Sequence, residues 1–264
     1  MSDISSLQNP KIKLCVDLKD RRDRDKHGLY LIEGFREITR GLKGGAKIET
    51  LFYCPELFLG ENEGKILDAV EGKFSVSEPV FRKISYRDRP DGLVAIAKMG
   101  KKGLGDIKLS DNPFLVVAEA IEKPGNLGTI LRSSDAVGID GVIVADRCTD
   151  IFNPNVVRSS VGTLFTIPVV EAGGDEVLKY LKDNGIKIVA TTPAAEHEYT
   201  EVDLTGPIAI VVGTEQLGLS DKWLSQADIK VKIPMLGVAD SLNVATATTL
   251  MLYEALRQRR SLRR

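Results

Sequence analysis

The chain has 264 residues, 43% of them hydrophobic and 28% charged, with a formal net charge of −1; this fits a globular protein of one large or two small domains and excludes a disordered or fibrous chain. No stretch has the length of a membrane span, and the start MSDISSLQNPK lacks the apolar core of a secretory leader, so a cytoplasmic protein is expected. Cys15, Cys54 and Cys148 lie far apart and form no CxxC pair, which argues against a zinc site or disulfide framework and suits a reducing compartment.

Residues 5–27 place Leu7, Ile12, Cys15 and Leu18 at helical spacing, and 11–27 hold seven Lys or Arg against four Asp. Such a stretch serves either as a solvated helix face or as a phosphate-facing patch. LYLIEG (29–34) reads as a strand, and FREITRGLKGG as a helix stopped by Gly44 and Gly45. IETLFYC then reads as a strand, EGKILDAVEG as a helix, FSVSEPVFRKIS as strand plus turn, and GLVAIAK (92–98) as a strand. Residues 99–112, Gly- and Lys-rich without periodicity, are expected to be a linker.

Beyond it the pattern becomes regular. FLVVAEAI (114–121) is a buried strand followed by EKPGNLG and a helix through Val137, and GVIVAD (141–146) is the next strand. Asn153 before Pro154 marks a helix start. FTIPVVEA, DEVLKYLKDNG, IKIVATT, PIAIVVGTE, SDKWLSQA, IKVKIPM and a final helix then alternate. Short apolar runs separated by helical patterns indicate an α/β fold with a mostly parallel sheet covered on both faces. The last helix, almost wholly apolar or small from Leu242 to Leu256, leads into Arg257, Arg259, Arg260, Arg263 and Arg264.

Ligands of open α/β sheets bind in loops at the carboxyl ends of the strands. Three glycine-marked loops occupy such places: KPGNLGTILR (123–132), VVGTEQLGLS (211–220) and IPMLGVADSLN (233–243). None is GxxxxGK[ST] or GxGxxG, which removes the usual support for a nucleoside triphosphate or dinucleotide. His27 and His197 are the only histidines, with no nucleophile elbow, so a histidine-based hydrolase is not expected. The loops offer glycine-flanked backbone groups and five polar side chains: Asn126, Arg132, Glu215, Ser241 and Asn243. Each also has a structural use. Asn126 and Ser241 suit helix caps, Glu215 a helix N-terminus, and Arg132 an exposed helix face.

The stretches NLGTILRSSDAVG, VVGTEQLGLSD and IPMLGVADSLNVATATTLMLYEALRQR resemble, in order and spacing, the three motifs of the SpoU (TrmH) family of RNA ribose 2′-O-methyltransferases, over about 113–260. Residues 28–97 are similar to the small α/β substrate-binding domain that often precedes it. The resemblance implies S-adenosylmethionine as methyl donor, a C-terminal trefoil knot, and a homodimer in which the apolar last helix packs across the interface. It implies three parts: an N-terminal basic helix and RNA-binding domain at 1–98, a linker at 99–112, and a knotted methyltransferase domain at 113–264. Gly213, Ile233 and Leu242 match the positions whose backbone holds the donor's adenine and ribose. Asn126, Arg132, Glu215, Ser241 and Asn243 match the polar catalytic set. Gln216 stands where many members have Gly, and Ala245 replaces a common Ser.

The implied reaction transfers a methyl group in line to a ribose 2′-hydroxyl, which requires alignment and help with proton loss, and needs no metal. The family assigns the base to the arginine matching Arg132; a guanidinium normally stays protonated, so stabilisation of the forming alkoxide by Arg132 is the other reading. Asn126 would orient the ribose or Arg132, and Glu215 would fix the Arg or Asn geometry. The extra N-terminal domain favours ribosomal RNA as partner, gripped by 28–97, the basic 11–27 stretch and the Arg-rich end. A tRNA methyltransferase, or a ribosome-assembly factor that binds RNA without turnover, are the alternatives.

Overall fold

The computed structural model of the chain describes residues 4–261, so Arg263 and Arg264 of the basic end lie outside the described residues. By its contacts the chain divides into two compact units: one runs to Gly100 and includes Asp150–Thr166, and the other comprises Lys101–Thr149 and the chain from Ile167 onward.

The first unit opens with two helices, α1 (Pro10–Asp17) and α2 (Arg21–His27), where a single helical segment is expected from the sequence. Asn9 caps α1 by accepting from the Lys11 N–H at 2.9 Å. The break follows from Arg24, whose guanidinium turns inward to the carbonyls of Leu18 at 3.0 Å and Lys19 at 2.7 Å and pairs with Asp150 at 2.7 Å. The basic stretch therefore spends one of its charges on the interior rather than on solvent.

Then follow β1 (Leu29–Glu33), α3 (Phe35–Lys43), β2 (Ile48–Tyr53), α4 (Glu63–Ala69), β3 (Lys73–Ser75), α5 (Glu78–Ile84) and β4 (Leu93–Lys98). The sheet order is β1-β4-β2-β3, with β4 antiparallel to β1 and β2, and β3 parallel to β2. A helix, α5, replaces the expected turn: Ser77 is extended, Pro79 takes an early helical position, and Val80, Phe81 and Ile84 are buried. Their spacing presents one face to a core of Ile12, Leu31, Phe52 and Ile96.

The second unit begins within 99–112. This stretch holds a short 3-10 turn, and its Leu104 and Ile107 are buried in the unit's core, so it is packed for part of its length. β5 (Phe114–Glu119), α6 (Pro124–Val137) and β6 (Gly141–Ala145) follow. The chain then forms α7 (Pro154–Ser159), capped by Asn153, within the stretch that clusters with the first unit. The second unit resumes with β7 (Val169–Ala172), α8 (Gly174–Asp183), β8 (Lys187–Thr191), the two-residue β9 (His197–Glu198), β10 (Ile208–Val212), α9 (Asp221–Gln226), β11 (Ile229–Lys232) and α10 (Val244–Ser261).

The seven strands are ordered β7-β6-β5-β10-β8-β11-β9, and every pairing is parallel. The central runs FLVVAE, GVIVA and IAIVV are buried at every position, as expected of strands covered on both faces. The fold class is thus as expected: α/β with a large parallel sheet and a smaller α/β unit before it. No described helix is long and apolar enough to cross a membrane.

Candidate active site

An all-parallel sheet places the carboxyl ends of its strands on one edge, and β5 and β10 are neighbours with Ala118 opposite Val212. The loops leaving these two strands are therefore adjacent although about ninety residues separate them in sequence. Glu215, three residues beyond β10, accepts from the backbone N–H groups of Glu122 and Lys123, each at 3.1 Å, and from the amide of Asn126 at 2.6 Å. A carboxylate only accepts, so the Asn126 nitrogen faces it and the Asn126 oxygen is left to accept from the Asn243 amide at 3.1 Å. Asn243 in turn accepts from the N–H groups of Ala245 at 3.0 Å and Thr246 at 3.4 Å. Three expected site residues, Glu215, Asn126 and Asn243, form one continuous hydrogen-bonded chain.

The expected caps are reassigned. α6 begins at Pro124, so Asn126 lies inside its first turn and the helix start is satisfied from outside by Glu215. Asn243, not Ser241, caps α10; Ser241 is exposed, and its side chain has no hydrogen bond among the described residues. Burial pushes the Glu215 carboxyl up, but the Asn126 amide and the N–H groups of Glu122 and Lys123 outweigh it and hold the group below its ordinary value. Glu215 is therefore a fixed negative charge at neutral pH.

Arg132 sits further along α6, exposed, with no hydrogen-bond or ion-pair partner among the described residues. The structure does not join it or Ser241 to the Glu215 chain. On the same helix, Ser133 bonds Thr249 of α10 at 2.7 Å, tying together the two helices that carry the polar residues.

Gly213 follows β10 directly and leads into a tight hairpin: the N–H of Thr214 donates to Gly218 O at 2.9 Å, and the N–H of Gly218 donates back to Thr214 O at 3.1 Å. A Cβ at Gly213 would collide with the backbone of Gly218 and Leu219, so only glycine permits this fold-back. Gln216 is exposed at the hairpin tip, beside Glu215 in sequence. Ile233 and Leu242, both half-buried, begin and nearly end the loop after β11, which leaves the same edge of the sheet. Ala245 is buried in the first turn of α10. Leu217, Leu236 and Val238 are almost fully exposed on these loops, a large apolar surface to leave bare. Neither 213–219 nor 233–243 contains a Lys or Arg, so neither loop offers a cationic side chain to a polyphosphate.

A further residue supports the edge. Glu119, buried at the end of β5, accepts from the Ser220 N–H at 2.9 Å and hydroxyl at 2.6 Å, anchoring the chain as it leaves the hairpin. Its signal in the sequence is an acid ending an otherwise apolar strand. The basic end is also partly committed: Arg259 stacks over Phe114 at 4.5 Å and donates to the carbonyls of Leu204, Asn112, Pro113 and Gly206, while Arg257 pairs with Glu254 at 2.7 Å. Among the described residues, no group of three or more His, Cys, Asp or Glu converges as a metal site would.

Residues 113–253 match the SpoU rRNA Methylase family, and residues 9–95 match the MRM3-like substrate binding domain. The chain is 33% identical to the 23S rRNA (uridine(2479)-2′-O)-methyltransferase of Streptomyces viridochromogenes, over 92% of this chain and 87% of that one. It is 30% identical to the 23S rRNA (guanosine(2553)-2′-O)-methyltransferase RlmP of Bacillus subtilis (strain 168), over 96% and 98%. The crystal structure of the SpoU methyltransferase AviRb from Streptomyces viridochromogenes in complex with the cofactor AdoMet superposes with a TM-score of 0.89 at 31% identity, covering 96% of this chain and 99% of that one. With likeness extending over both units and the strand-end loops carrying the expected polar chain, the protein belongs to the SpoU rRNA methylase family.

Proposed function

We infer that this chain is an S-adenosylmethionine-dependent RNA methyltransferase that methylates a ribose 2′-hydroxyl of ribosomal RNA. The observation that carries the reading is the Glu215–Asn126–Asn243 chain, which holds three motif residues from distant parts of the sequence at one edge of the sheet. When bound, S-adenosylmethionine supplies an electrophilic methyl group on a positively charged sulfur. The basic-free loops 213–219 and 233–243 would hold the donor through the backbone of Gly213, Ile233 and Leu242, and Glu215 would supply a fixed negative charge to a positively charged ligand. Asn126, its amide locked at both ends, is a rigid orienting group for the ribose. Arg132 brings its guanidinium to the oxygen and stabilises the charge that forms as the proton leaves, an effect worth about 10²- to 10³-fold in rate for one well-placed donor. Ser241 lines the mouth of the donor loop.

In this reading the segment after β11 threads the trefoil knot, and two copies of the chain pair through α10. Leu250 and Tyr253 support the pairing, since both remain exposed on that helix in the single chain. The first unit binds the RNA, and the enzyme works in the cytoplasm.

Transfer of labelled methyl from S-adenosylmethionine into ribosomal RNA and tRNA that both lack the modification tests the function. Label confined to ribosomal RNA is the expected result. Label in tRNA would keep the chemistry and overturn the substrate, and donor binding without any transfer would leave a non-catalytic RNA-binding factor.

A further inference from the structure

The first unit contains a cavity of about 810 Å³ that the methyl-transfer chemistry does not use. This is within the range of about 300–1,000 Å³ typical of ligand sites. It is lined on one side by Phe35 and Arg36 of α3, on another by Leu59, and elsewhere by Arg89 and Arg158.

The charges around it fall into two classes. Those in the floor are paired: Arg87 bonds Glu37 at 2.6 Å and the Glu33 carbonyl at 2.8 Å, Asp91 accepts from the Phe35 N–H at 2.9 Å, and Glu63 accepts from the Gly60 N–H at 2.9 Å. Those at the rim are open. Arg36 and Arg89 are exposed with no hydrogen-bond or ion-pair partner among the described residues, and Arg158 lies over the Tyr86 ring at 5.9 Å. Asp88 is the one exposed carboxylate in the lining, so the unpaired charge is mainly positive.

The wall that carries Arg158 is held firmly. Val161, a β-branched residue, takes a left-handed φ of 54°, and its carbonyl accepts from Arg40. A Cβ on the adjoining Gly162 would press on the backbone of Glu37, and one on Gly34 would collide with Arg87 and Glu37. Strain of this kind, fixed from several sides, is found where a surface must hold one shape.

We propose that this cavity takes a single unstacked nucleotide of the RNA, its phosphate on Arg36, Arg89 and Arg158 and its base against Phe35. Single-stranded RNA is recognised through splayed bases on aromatic faces with guanidinium contacts to the backbone. The assignment rests on the reading of the protein as an RNA methyltransferase.

The test measures binding of a ribosomal RNA transcript over a salt series, and methyl transfer to it, for wild type, R36A/R89A and R36K/R89K. The alanine pair is expected to weaken RNA binding about tenfold or more and to reduce the salt slope by roughly two. KM for RNA should rise with kcat, donor affinity and melting temperature unchanged, and the lysine pair should restore part of the binding. Wild-type binding, salt slope and KM in the alanine pair would overturn the cavity assignment while leaving the methyltransferase reading intact. Failure of the wild type itself to bind or methylate any RNA would overturn both.

Discussion

The strand-end loops of the second unit and the arginine-rimmed cavity of the first solve opposite binding problems. At the loops, neutral amides and backbone N–H groups hold one carboxylate ionised, and 213–219 and 233–243 carry no basic residue. At the cavity, acids are paired in the floor and guanidinium groups are left open at the rim. The contrast teaches that a cationic, adenosine-bearing donor and a polyanion need separate chemistry, and the sites proposed for them lie in separate units. It predicts that donor binding will change little with ionic strength while RNA binding falls steeply, a comparison that titrations at two salt concentrations would settle.

The largest stability effect is expected from the ion pair in the first unit. Arg24→Ala leaves Asp150 buried without its partner and should cost about 3–5 kcal/mol in denaturant unfolding, with donor binding retained by the second unit. A loss under 1 kcal/mol would mean that the Arg24–Asp150 pair contributes little net stability. In the second unit, Gly213→Ala forces the hairpin backbone to move and should cost about 1–3 kcal/mol with loss of donor affinity. Unchanged donor affinity in that variant would detach the hairpin from the donor site. Asn243→Ala removes the cap of α10 and the contact to Asn126, costing about 1 kcal/mol, and should lower kcat more than it weakens donor binding.

The smallest effect concerns acid. Because Glu215 is held below its ordinary value, its contribution is complete above the unfolded carboxyl value of about 4.3 and disappears as the pH falls through the lower folded value. The melting difference between wild type and Glu215→Gln should therefore be constant near neutral pH and close only below that point. A gap that closes above pH 5 would contradict the hydrogen bonding described for Glu215.

Much of this was legible in the sequence, because the apolar runs of the second unit are bounded by glycines and interrupted by helical periods. The strand ends then identify the loops, and three of the motif residues, Glu215, Asn126 and Asn243, meet there. What was hidden depended on distant contacts. The break between α1 and α2 is set by Arg24 reaching Asp150, 126 residues away. The grouping of Asp150–Thr166 with the first unit follows from contacts such as Tyr30 with Phe152 at 4.5 Å. The helix α5 was masked by its Val and Phe, which fit a strand equally well until Ser77 and Pro79 are seen to start a helix. The cap of α6 was invisible for another reason: Glu215 supplies it from the hairpin after β10, so no local pattern could distinguish an Asn126 that caps from one that is held.

The most direct test of the account is the position of the transferred methyl group. Ribosomal RNA incubated with labelled S-adenosylmethionine and either wild type or Arg132→Ala would be hydrolysed in alkali. The account predicts label from the wild type in one alkali-resistant dinucleotide, and at least a hundredfold less from Arg132→Ala although it binds the donor normally. Label released as mononucleotide, or undiminished transfer by Arg132→Ala, would contradict it.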